Sequence, residues 1–314
     1  MSDRLIMKLR VVGARLTTPD VLMLDLQHPK RPALPAWTAG AHVDVMVAGG
    51  VRQYSLWGDP EDRGRYRIAV KREAGGRGGS KWIHDHAREG SELHVSAPRN
   101  HFGLDGKGGR YVLVAGGIGV TPILAMARVL AAGEADFTVH YCARNAAQAP
   151  LLDELRAVCG DRLTTWFSQE GRRLDVHTLL ARAAGAELYA CGPNSLTAAL
   201  ETAIAAQGFP ADLYHREHFA ALSDADFVPD SFEVVITSSG RKLHVPADRS
   251  LLEVLRDNHF VRGSSCEIGV CGSCECGYVS GDVIHRDAVL GVKARASRLM
   301  PCVSRARGSL TLDL

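Results

Sequence analysis

Apolar residues in the first hundred positions come in short β-type runs, at 7–12, 21–26, 42–46, 66–70 and 92–95. Each run is broken off by Gly, Pro or Asp. Short strands with regular turn signals predict a small antiparallel barrel over residues 1–102. From Arg110 the pattern changes. Tyr-Val-Leu-Val-Ala at 111–115 is continuously apolar and runs into Gly116-Gly117-Ile-Gly119-Val-Thr121-Pro122. That reads as a buried strand, a glycine turn and a helix start, with Thr121 as N-cap, Pro122 first in the helix and Gly133 its stop. Strands at 137–142 and 187–191, and a helix at 195–207, continue the alternation, which predicts a parallel α/β sheet over 103–222. Small and acidic residues at 220–229 read as a linker, the division being set at 223–230. In 231–314 a hairpin at 232–237 and 242–245 turns at Ser239-Gly240, and Ser250-Leu-Leu-Glu253 is a capping box opening a helix to about Asn258. A strand at 275–279, a helix near 289–298 and a last strand at 309–314 complete the pattern.

Composition narrows the class. The 314 residues are 46% hydrophobic and 23% charged, with a formal net charge of +2. That balance gives no reason to expect nucleic acid or a membrane surface as partner. The first residues lack a long apolar core, so neither a signal peptide nor a transmembrane span is read there. Eight cysteines could mean disulfides in a secreted protein. Four of them fall in one pattern and the rest, Cys142, Cys159, Cys191 and Cys276, are scattered singly, which fits a reducing cytoplasm better.

That pattern is the strongest chemical signal. Cys266, Cys271 and Cys274 stand at C-x4-C-x2-C spacing, and Cys302 follows later. This is the ligand spacing of a plant-type [2Fe–2S] cluster. Gly263, Gly269 and Gly272 would let the loop turn backbone N–H groups toward negatively charged sulfur. The alternatives are zinc, which usually takes paired C-x2-C arms of which only Cys271/Cys274 is present, or buried structural thiols.

Two weaker features lie in the barrel. Arg52-Gln-Tyr54-Ser55-Leu sits on a strand, with Arg52 and Tyr54 on one face and Gln53 and Ser55 on the other. A ring beside a guanidinium suits a flat, phosphorylated ligand, although such a pair is more often plain surface. Gly78-Gly79-Ser80 opens a helix and could present free N–H groups to a phosphate, or be a flexible hairpin.

Taken together, R-x-Y-S-L, G-G-S and Pro98-Arg99-Asn100-x-Phe102 resemble the flavin domain of the ferredoxin–NADP reductase superfamily. The phthalate dioxygenase reductase and vanillate O-demethylase reductase branch is the nearest match. The resemblance implies FMN, with its phosphate held by Arg52, Gly79 and Ser80 and its ring addressed by Tyr54 and Ser55. G-G-x-G-x-T-P and Cys191-Gly192-Pro193 are similar to the pyridine-nucleotide domain of the same superfamily. By that likeness Gly117, Gly119 and Thr121 bind the pyrophosphate, and Cys191, Gly192 and Pro193 lie at the nicotinamide. Without the motif, Cys191 would read as a small buried residue at a strand end. No acid follows Cys142 to mark NAD, and Arg144 could meet a 2′-phosphate or the adenine and ribose. The resembling reductases imply NADH. They also imply an aromatic covering the flavin, for which Phe219 is the candidate; otherwise Phe219 is core. The last domain resembles a β-grasp ferredoxin, with Cys276 an ordinary packed thiol.

The resemblance covers essentially the whole chain and implies a multidomain reductase passing electrons from NADH through FMN to a [2Fe–2S] cluster. The terminal oxygenase or O-demethylase would be a separate protein, since the chain has no Rieske C-x-H pair. The same chain could instead serve another acceptor, or hold its cofactors without turnover as a redox sensor.

Overall fold

The computed structural model describes residues 5–104, 109–219, 227–261 and 264–314. Most of the expected linker, together with Arg262 and Gly263, lies outside the described residues. The chain divides into two compact units, 1–217 and 218–314.

The first unit opens with a seven-stranded antiparallel sheet: β1 (Ile6–Thr18), β2 (Val21–Gln27), β3 (Ala41–Val47), β4 (Gly50–Ser55), β5 (Tyr66–Lys71), β6 (Glu92–Ser96) and β7 (Arg99–Asn100). Helix α1 (Gly79–His86) lies between β5 and β6. The order is β4-β3-β6-β1-β2-β5, with β7 on β3. Along β1 Met7, Leu9 and Val11 are buried and their neighbours exposed.

A five-stranded parallel sheet follows in the same unit. It is built from β8 (Arg110–Gly116), α2 (Val120–Ala132), β9 (Asp136–Ala143), α3 (Leu152–Cys159), β10 (Leu163–Phe167), α4 (Val176–Arg182), β11 (Glu187–Cys191), α5 (Asn194–Gln207) and β12 (Tyr214–Glu217). Its order, β10-β9-β8-β11-β12, makes β8 central. The continuous apolar run of β8 follows from burial on both faces. Tyr111, Leu113 and Ala115 join the core shared with α2, α3 and the barrel. Val112 and Val114 join the core under α4 and α5. Because one core runs through barrel and sheet, residues from both halves can be fixed against each other.

Thr121 does not cap α2. A 3₁₀ turn over Gly117–Gly119 leads into the helix, Gly119 stands at the N-cap, and the Thr121 hydroxyl donates to the Ile118 carbonyl at 3.0 Å. The helix therefore starts earlier than the Thr-Pro signal predicts.

In the second unit β13 (Phe232–Ile236) and β14 (Lys242–Val245) form the expected hairpin, and the Ser250–Glu253 capping box opens α6 (Leu251–Asp257). β15 (Cys276–Ile284), α7 (Val292–Arg295), β16 (Arg298–Leu299) and β17 (Arg305–Asp313) complete a mixed sheet of order β14-β13-β17-β15-β16. The predicted helix at 289–298 shrinks to one turn. Asp287 accepts from the amides of Val289 and Leu290 at 3.1 and 2.7 Å, so a side-chain turn takes up the segment's first half. Among the described residues no helix is long and apolar enough to cross a membrane.

Candidate functional site

The four pattern cysteines come together in the second unit, between α6 and β15 with Cys302 ahead of β17, and all four are buried. They are arranged as two pairs. Cys266 hydrogen-bonds Cys271, and Cys274 hydrogen-bonds Cys302. In each pair one sulfur acts as donor and the other is held toward thiolate. The hydrogen bond from Cys266 leads in holding the Cys271 thiol below its usual range, and that from Cys302 lowers Cys274. Backbone amides turn inward as well, with Ile268 N and Ser273 N each 3.5 Å from the sulfurs of Cys266 and Cys271. Gly269 has φ +76° and a Cβ there would stand 2.7 Å from Val303, so the loop can close on the Cys302 segment only with glycine. The donor set and its inward amides fit a [2Fe–2S] cluster. Cys276 is buried on β15, as a packed thiol should be.

In the first unit the two barrel motifs meet. The Arg52 side chain lies over Gly79, where a Cβ would stand 2.6 Å from its Nε, and its guanidinium donates to the Val51 and Arg77 carbonyls at 2.8 and 3.0 Å. Gly78, with φ +79°, heads α1 without a side-chain cap, so the first amides of the helix point at no protein partner of that kind. Ser80 Oγ accepts from Glu73 N at 3.1 Å. Tyr54 is half-buried on the same strand, and its phenol is raised by burial, with Arg52 opposing. A guanidinium beside bare helix amides and a ring fits a flat phosphorylated ligand such as FMN. Pro98-Arg99-Asn100-x-Phe102 instead ties the two sheets together. Arg99 pairs with Asp44 at 2.8 Å, Asn100 donates to Thr38 and Ala39, and the Phe102 ring packs on Tyr189 of β11 at 5.8 Å.

The two nucleotide motifs are in backbone contact. A Cβ on Gly119 would run into the Cys191 carbonyl oxygen, so only glycine lets the first turn pack against Cys191-Gly192-Pro193. Gly117, at φ +51°, has nothing within 4 Å of its Cβ position and leaves an open, amide-lined turn. Cys191 ends β11 fully buried, in register with Ala115 on one side and Glu217 on the other. Ser55 from the barrel donates to Glu217 Oε2 at 3.3 Å. Burial pushes the Glu217 carboxyl up to about 8 against the lowering hydrogen bond from Ser55, and it pushes the Cys191 thiol well above its usual range. Ser55, Glu217 and Cys191 thus bring a hydroxyl, a protonatable carboxyl and a neutral thiol to one place. Glu217 is the residue that the sequence reading missed.

Arg144 follows β9, where its carbonyl accepts from Gln169 N at 2.9 Å. Neighbouring Asn145 is bound to Gln169 and Gln148. Phe219 is 38% exposed, which excludes a core role for it.

Comparison with known proteins agrees along the whole chain. Residues 234–307 match the family model of the 2Fe-2S iron-sulfur cluster binding domain. Residues 94–213 match that of the dimethylamine monooxygenase subunit DmmA-like, N-terminal domain. The heme-dependent oxidative N-demethylase beta subunit of Ectopseudomonas mendocina is 41% identical over 312 residues, covering 98% of this chain and 99% of its own. The vanillate O-demethylase oxidoreductase of a Pseudomonas species is 40% identical over 313 residues, with 97% and 98% covered. The solved structure of phthalate dioxygenase reductase, described as a modular structure for electron transfer from pyridine nucleotides to [2Fe-2S], superposes with a TM-score of 0.75 at 36% identity, covering 98% of both chains. With three sheets, a four-thiol site and relatives aligned end to end, the chain belongs to the phthalate dioxygenase reductase and vanillate O-demethylase reductase family.

Proposed function

We propose that this chain is the reductase component of a multicomponent Rieske-type oxygenase or O-demethylase, drawing electrons from NADH and delivering them to a separate terminal oxygenase. One observation carries the reading. A single chain holds both a site fit for hydride exchange, at Ser55, Glu217 and Cys191, and a two-by-two thiol site fit for one-electron transfer. When bound, the flavin supplies the conversion between a two-electron hydride and single electrons, and the cluster takes those one at a time.

The protein's part is positioning and exclusion of water. Arg52 and the first amides of α1, at Gly79 and Ser80, would hold the FMN phosphate, with Tyr54 against the ring. Gly117, Gly119 and Thr121 shape the turn for the NADH pyrophosphate, and Cys191, Gly192 and Pro193 border the nicotinamide. Arg144, at the end of β9, is suited to the adenosine end. Phe219, exposed just beyond β12, is suited to covering the flavin. A neutral Cys191 would place no charge beside a bound nicotinamide, and Ser55 and Glu217 would hold a proton available to a bound flavin. Cys266, Cys271, Cys274 and Cys302 would ligate the cluster. In this division residues 1–102 serve the flavin, 103–222 the nucleotide and 231–314 the cluster, joined through 223–230. Eight cysteines free of disulfides support a cytoplasmic setting.

The 41% identical N-demethylase subunit favours a second reading, in which the same chain serves a heme-dependent acceptor. Reconstitution with candidate oxygenases separates the two. Anaerobic titration with NADH, followed by absorbance and low-temperature EPR, tests both. Bleaching of flavin and iron–sulfur bands with a rhombic reduced-cluster signal is expected. Flavin bleaching with no cluster signal, and zinc or no iron by metal analysis, would overturn the reading.

A further inference from the structure

Glu267, directly after Cys266, has φ +57°, a conformation that L-residues other than Asn and Asp rarely adopt. A glycine could hold that turn unaided, yet the chain places a charged side chain there and ties it down. Arg256 of α6 donates to Glu267 Oε1 at 2.5 Å and to Ser264 Oγ at 2.7 Å, and Ser264 donates to the same carboxylate oxygen. The turn at 267 is what brings the Ile268 amide back onto the Cys266 sulfur. Beyond it the Val270 amide also faces Cys266, and the Gly269 amide faces Cys302. An ion pair thus anchors the residue from which the inward amides fan out.

From this geometry we propose that Arg256 and Glu267 form a charge-balanced clamp that positions the cluster loop and keeps either charge from shifting the cluster's reduction potential. The inference rests on the four cysteines holding a [2Fe–2S] cluster. Adding one electron to that cluster adds one negative charge beside the clamp. Glu267 alone would oppose the electron and Arg256 alone would favour it; paired, their fields largely cancel while the hydrogen bonds keep the amides aimed at sulfur. Arg256 and Glu267 are positioning residues, since neither is itself a ligand.

The two halves of the clamp therefore have opposite signatures. In the full-length holoprotein, an EPR-monitored redox titration of Arg256→Gln should lower the equilibrium constant for cluster reduction by roughly threefold to tenfold. Glu267→Gln should raise it by a similar factor, and the double variant should return within about twofold of the parent. Shifts of the same sign in both single variants, or none in either, would overturn the clamp. If Arg256→Gln fails to load iron, Glu267→Gln and Arg256→Lys carry the test. A raised constant in the first with a near-parental one in the second supports the clamp, and any other result rejects it. Absence of iron and of the EPR signal in the parent protein would instead refute the cluster itself.

Discussion

Glu217 titrates against its surroundings rather than with them. Its carboxyl lies against Ser55 and beside the Cys191 strand end, and burial carries it up to about 8. An unfolded glutamate titrates near 4.3, so the native state binds more protons between the two values. That stability is fully present below about pH 4.3 and is lost as the pH rises through about 8. The shift corresponds to a few kcal/mol. Glu217→Gln should therefore remove most of the fall in thermal stability that the parent shows between pH 6 and 8. Scanning calorimetry of both proteins across that window checks it, and a parent that gains stability with rising pH would contradict the assignment. The same carboxyl explains why the sequence could not announce it. Ser55 is 162 residues away, and β12 is a polar edge strand, Tyr-His-Arg-Glu, with no apolar run to mark it.

At the level of elements, two turns do different work with the same amino acid. Gly119 is required by the approach of Cys191, whereas Gly117 faces open space at positive φ. Gly119→Ala should cost about 1–3 kcal/mol through overpacking and push the two nucleotide turns apart. The KM for NADH should then rise about tenfold while flavin content stays parental. Steady-state kinetics with ferricyanide, beside flavin absorbance, reads both. An unchanged KM would detach the Gly119 contact from nucleotide binding. The strands were legible where burial forced a pattern: β1 and β2 as short apolar runs between turn signals, β8 by a continuous apolar run with Gly133 ending the helix after it. The Ser250–Glu253 capping box was legible too, because its partners are three residues apart. Thr121 misled because the N-cap preference of threonine lost to a 3₁₀ turn that tertiary packing against Cys191 imposes. In the cluster loop the four-cysteine pattern could be read from spacing, but the Arg256–Glu267 pair could not, since it depends on where α6 sets its side chain.

For the whole molecule, the division into two units makes a sharp demand on electron flow. The site proposed for hydride chemistry, Ser55, Glu217 and Cys191, lies in unit 1–217, and the four paired thiols all lie in unit 218–314. An acceptor able to draw on flavin directly needs only the first unit, whereas a one-electron protein acceptor should need the second. The residues from Val228 to Leu314 carry 10 acidic and 11 basic side chains, so no strongly negative surface steers a partner to it. Access to the cluster itself must then decide delivery. Cys266→Ser removes one of the four proposed ligands while leaving every residue of the first unit in place. NADH-dependent ferricyanide reduction should stay within about twofold of the parent, and cytochrome c reduction should fall by roughly a hundredfold. Measuring both rates on one preparation controls for flavin loading. Equal losses in the two assays would mean that the first unit depends on the second for its own activity. Cytochrome c reduction that survives the loss of the cluster would mean that electrons leave from the flavin, and that the ferredoxin unit serves some step other than delivery.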